Sequence, residues 1–76
     1  MDIDTLRHKI NAAIAYSGRS EASIARAVKP TATSAEKAFN ARKRDMAFKP
    51  GELIRIAEEA GAELDIRFVF PDGTVI

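Results

Sequence analysis

Apolar positions recur at helical intervals through most of the chain and at every second residue near its end, a pattern that predicts four helices followed by a strand. Ile3, Leu6, Ile10, Ala13 and Ile14 share one side of a helix over about residues 4–16. Asp2 or Asp4 can cap its start, and Gly18 suits the left-handed turn that ends it. His8 falls off the apolar stripe and reads as a surface residue. Ser20 is an N-cap for a short second helix carrying Ile24 and Val28, which cannot run far past Val28 because Pro30 disfavours helical geometry at Lys29. Lys29, Pro30, Thr31 and Ala32 then form a turn.

Thr33-Ser34-Ala35-Glu36 has the form of a capping box and starts a third helix over about residues 34–43. Its buried side comprises Ala35 and Ala38, with Phe39 competing as the anchor; choosing Phe39 rotates the outward face by about 100°. Pro50 is pre-organised for the first position of a fourth helix bearing Leu53, Ile54, Ile56, Ala57 and Ala60, with Phe48 folding back on Leu53 and Gly61 ending it. Over about residues 63–70 the period becomes two: Leu64, Ile66, Phe68 and Phe70 alternate with Asp65, Arg67 and Val69. A turn at Phe70-Pro71-Asp72-Gly73 allows Thr74-Val75-Ile76 to return as a short second strand. The expected fold is mainly α, one domain spanning residues 1–76 with a C-terminal β-strand or short hairpin.

Composition narrows the chemistry. The chain has 76 residues, no cysteine and one histidine, which excludes disulfide frameworks, thiol catalysis and histidine or thiolate metal sites, and no cofactor or metal is expected. No apolar run approaches the ~18 residues of a membrane span, and the N-terminus lacks a signal peptide's basic and apolar regions. The expectation is a soluble cytoplasmic protein without a membrane partner. Glu58 and Glu59 diverge on a helix, and no nucleophile, base and orienting group form a set, so an enzyme is not expected. The net charge of +1 conceals a division: residues 1–18 are neutral, residues 19–49 carry eight bases against three acids (+5), and residues 50–76 carry six acids against two bases (−4). A basic middle suits docking on a polyanion, although a solvated charged surface has the same composition.

Two short helices joined by a turn of about four residues inside that basic block resemble a helix-turn-helix unit over residues 21–40, with Ala25 at its small position and Ile24, Val28, Pro30, Ala35 and Ala38 at its apolar ones. Together with "LIRIAEEAGAEL" from Leu53 to Leu64, the chain resembles the Cro/repressor (XRE-like) type of helix-turn-helix protein common in phages and mobile elements. The turn position where that type carries glycine is Lys29 here, so a different turn geometry is expected.

The resemblance implies a homodimeric, sequence-specific regulator of transcription on double-stranded DNA, its third helix entering the major groove. The outward set would be Thr31, Thr33, Ser34, Glu36, Lys37 and Asn40. Lys37 suits guanine, Asn40 adenine and Glu36 the amino group of cytosine, while Ser34 and Thr33 suit phosphate. A purely structural capping role for Thr33 and Glu36, and a plain surface role for Asn40, stand beside these. Arg42, Lys43 and Arg44 fan around a helix end, either along phosphates or as a solvated terminus matched to the helix dipole. Leu64, Ile66, Phe68, Val69 and Phe70 are the expected dimer interface, since in Cro a C-terminal strand joins subunits and seven of the eighteen Ile, Leu, Val and Phe residues lie in the last fourteen positions. The alternative is a protein-interaction module on the same scaffold, antitoxin-like or a phage-encoded inhibitor. Glu36 and the Lys29-Pro30 turn speak for it.

Overall fold

At most helix ends a capping group meets the free backbone amides or carbonyls. A computed structural model describes residues 1–31 and 33–76. The first helix, α1 (Ile3–Ser17), is capped by Asp2, whose carboxylate accepts from the Thr5 amide at 2.7 Å. The backbone and side-chain hydrogen bonds from Thr5 hold the Asp2 carboxyl below its ordinary value. Asp4 instead pairs with Arg7 one turn on. Gly18 closes α1 at φ 74°, in the left-handed region. In α2 (Glu21–Val28) the Ser20 hydroxyl accepts from the Ser23 amide at 3.1 Å. Lys29 ends it at φ −129°, ψ 66°, outside the left-handed region that a glycine would supply. Ala32, the last residue of the expected turn, lies outside the described residues.

The third helix, α3 (Ala35–Asp45), starts later than the sequence suggests. Ser34 is its N-cap and makes no side-chain cap bond, which corrects the expected Thr33 capping box. With Ser34 as the cap, Glu36 is the second helical residue and Lys37 the third, so the reciprocal spacing of a capping box is lost. The α2–α3 connection therefore runs over six residues, Lys29 to Ser34, instead of four. At the other end Met46 turns left-handed at φ 49°, and its amide and that of Ala47 reach back to carbonyls at the end of the helix. Arg7 of α1 completes that cap, donating to the carbonyls of Lys43 (3.2 Å) and Arg44 (2.7 Å) at the negative pole of the helix.

Pro50 opens α4 (Pro50–Glu59), and the Glu52 carboxylate reaches back to accept from the Lys49 amide at 2.7 Å. The core gathers Ile10 and Ile14 of α1, Ile24 and Ala25 of α2, Ala35 and Phe39 of α3, and Ile56 of α4. Phe39 is fully buried and meets Phe48 with ring centroids 5.1 Å apart, whereas Ala38 is only half-buried. The third helix is thus anchored on Ala35 and Phe39, one turn apart.

The expected C-terminal strand is not seen, and the described residues contain four helices and no sheet. What forms is one isolated antiparallel bridge, Val69 with Val75. Phe68 and Ile76 exchange backbone hydrogen bonds of 2.7 and 2.9 Å, Phe70 donates to Thr74 at 2.8 Å, and Gly73, at φ 91°, closes the turn onto Phe70. The predicted turn is present, but residues 63–67 make no backbone hydrogen bond to any described residue, and a strand without a neighbour is not a sheet.

Candidate nucleic-acid interface

Because Ala35 and Phe39 turn inward, helical geometry sends Glu36, Lys37, Asn40 and Arg44 outward, and all four are exposed. With Ser34 and Ala41 they line one shallow concavity running along α3. Thr31 and Thr33 are exposed on the segment leading into it. The structure thus brings together five of the residues expected to contact DNA: Ser34, Glu36, Lys37, Asn40 and Arg44.

Arg42 and Lys43 do not join them. Arg42 lies on the inner flank of α3, its Nη1 3.1 Å from Glu52 Oε1 and 3.4 Å from the Ala47 carbonyl. Lys43 pairs with Glu21 of α2, donates to Asn11 of α1 at 2.9 Å, and sits 5.9 Å from the centre of the Phe39 ring. Only Arg44 of the three points freely to solvent, with 74% of its side chain exposed, and it pairs with Asp45. Hydrogen bonding and charge between these two raise the guanidinium pKa and lower that of the carboxyl. The basic run is therefore divided: two members brace the helix from within, and the third belongs to the outer face. Arg26, Lys37 and Lys49 are exposed cations without an ion pair among the described residues.

Glu52 is the residue that sequence reasoning passed over. Its side chain is 10% exposed and faces Arg42, the Lys49 amide and Lys29. The Lys29 ammonium lies 2.5 Å from Oε2 as an ion contact without the angle of a hydrogen bond. Burial alone would push the Glu52 carboxyl up; the Lys29 and Lys49 contacts and the Arg42 charge outweigh it and hold the pKa below its ordinary value. A glutamate three residues after a cap position, ahead of an apolar run, was the available signal for half of this arrangement.

The residues expected at a dimer interface all lie at the surface of the single chain. Ile66, Phe68 and Val69 are 64%, 67% and 73% exposed, and Leu64 and Phe70 are the more sheltered of the set. Leu64 and Ile66, with Asp65 and Arg67, line a mainly apolar groove together with Leu6 and Ile10 of α1 and Leu53 and Ile56 of α4. Among the described residues no three His, Cys, Asp or Glu side chains are placed to hold a metal ion, and no helix is long and apolar enough to cross a membrane. The chain matches no protein-family model, no curated protein and no solved structure.

Proposed function

We propose that this chain is a sequence-specific double-stranded DNA-binding regulator of transcription, phage or mobile-element repressor-like, working as a homodimer through a helix-turn-helix unit formed by α2 and α3. The observation that carries the reading is the outward stripe of Glu36, Lys37, Asn40 and Arg44 on a helix whose other side is locked into the core by Ala35 and Phe39. Such a helix offers a major groove donors and acceptors at fixed spacing on a rigid support. Lys37 donates to guanine, Asn40 meets the paired donor and acceptor of adenine, and Glu36 accepts from cytosine. Thr31, Thr33, Ser34 and Arg44 take phosphates on either side. Arg42 and Lys43 act through α3, holding its orientation by their pairs with Glu52 and Glu21.

A fluorescence-polarisation titration against random-sequence duplex DNA at two salt concentrations tests this directly. Binding that weakens steeply with salt is expected, and Arg44→Ala should flatten the log–log slope by about one unit. Absence of binding at low salt rejects the reading. The internal use of Arg42 and Lys43, together with the exposed apolar tail, favours the second reading, a protein-interaction module on the same scaffold. That reading predicts salt-insensitive behaviour towards DNA.

A further inference from the structure

We propose that the free edge of the C-terminal segment is a self-recognition surface whose register is set by charge: a second copy of this chain pairs antiparallel with it about a twofold axis at Ile66, placing Asp65 of each copy opposite Arg67 of the other. The proposal rests on the homodimeric form of the function above and gives that dimer its specificity.

The backbone identifies the edge. Phe68 directs both its amide and its carbonyl to Ile76, and Phe70 directs its amide to Thr74. In an antiparallel ladder alternate residues address opposite edges, so Val69 addresses the other side, and the same alternation continued back from Phe68 in the proposed pairing sets Arg67 and Asp65 there as well. Their amides and carbonyls bond to no described backbone group there. An unpaired edge of this kind is a template for another strand.

Symmetry and charge then fix the register. In a twofold antiparallel pair, hydrogen-bonded and non-hydrogen-bonded positions alternate, so the axis must pass through a residue that faces itself. An axis at Asp65 or at Arg67 sets like charges face to face, and one at Leu64 sets Asp65 against the partner's Glu63. An axis at Phe68 leaves Arg67 against the partner's Val69. An axis at Asp65 also matches Glu63 with the partner's Arg67 twice but sets Asp65 against itself; the axis at Ile66 alone creates two opposite-charge pairs and no like-charge pair, and it also sets Leu64 beside the partner's Phe68 and Ile66 beside its own copy. Opposite charges directly across a ladder stabilise it, and like charges destabilise it. Within one chain Arg67 already bonds Asp65 at 2.9 Å, which places the two on one side of the segment. Leu64 and Ile66 line the groove with Leu6, Ile10, Leu53 and Ile56, so pairing at this register brings the partner's apolar residues over a groove that one chain leaves open.

The test is a charge exchange read by sedimentation equilibrium of the full chain without DNA. Wild type is expected to be a dimer. Asp65→Arg alone and Arg67→Asp alone each set four like charges across the ladder, and each should raise the dimer dissociation constant by roughly tenfold or more. An equimolar mixture of the two variants, and the doubly exchanged chain, should dimerise as wild type does. Both residues lie outside the helices, so far-UV circular dichroism should be unchanged throughout. A wild-type monomer at high micromolar concentration, single variants that dimerise normally, or a mixture that is not rescued each overturn the proposal. A monomer that still binds duplex DNA would overturn the self-pairing and leave the DNA-binding reading standing; a charge-coded dimer indifferent to DNA would do the reverse.

Discussion

Glu52 joins three helices at one carboxylate, with Lys29 closing α2, Arg42 on α3 and Lys49 ahead of α4. Removing its charge leaves Lys29 and Arg42 without their counter-ion, so Glu52→Gln should cost about 2 kcal/mol in urea unfolding at pH 7. The sign with pH follows from the lowered pKa: the contribution is complete above the ordinary value of 4.5 and is lost as pH falls through the lowered folded value. The gap between variant and wild type should accordingly close on acidification below that range. A separate contrast lies in the basic run. Arg42→Ala should lower the unfolding midpoint and Arg44→Ala should leave it unchanged, while the salt slope of DNA binding responds to Arg44. Nothing in the linear sequence distinguishes Arg42 from Arg44, because the difference is made by Glu52 on another helix.

At the scale of elements, local chemistry was readable wherever the cap and the apolar stripe agreed. Asp2, Ser20, Gly18, Pro50 and Gly61 mark their helix ends as expected, because each signal acts within one turn of chain. The third helix carries less local signal. Its apolar stripe is thin, so the Thr33–Glu36 spacing carried the boundary alone, and the first turn formed one residue later around Ser34. The choice between Ala38 and Phe39 depends on which side of α3 meets Ile24 and Phe48, a tertiary fact that places Lys37, Asn40 and Arg44 on the outer face. Two substitutions separate the capped helix from the uncapped one. Ser20→Ala should cost about 1 kcal/mol, since the hydroxyl serves the Ser23 amide. Thr33→Ala should stay within about 0.5 kcal/mol of wild type by urea midpoint, since no cap bond is lost.

For the whole molecule, the alternation over residues 64–70 did not produce a sheet, since a strand is a property of a pair and the described residues supply only the Val69–Val75 bridge. No residue beyond Ala60 is buried, and Phe68, Val69 and Ile76 stand largely open to solvent. If two such tails join about a twofold axis, the two α3 helices become symmetry mates, and what each reads on DNA must be an inverted repeat with half-site centres about 34 Å apart, one helical turn. Selection of bound duplexes from a random library should therefore enrich an inverted repeat rather than a single motif. Phe68→Asp places a charge on the face that must be covered, so it should lower the mass seen by light scattering towards one chain and abolish the preference for the repeat, while single half-sites are still bound through Lys37, Asn40 and Arg44. Enrichment of a lone motif by the wild-type chain would show that one α3 helix acts by itself and that the tail serves some other purpose than pairing two readers of DNA.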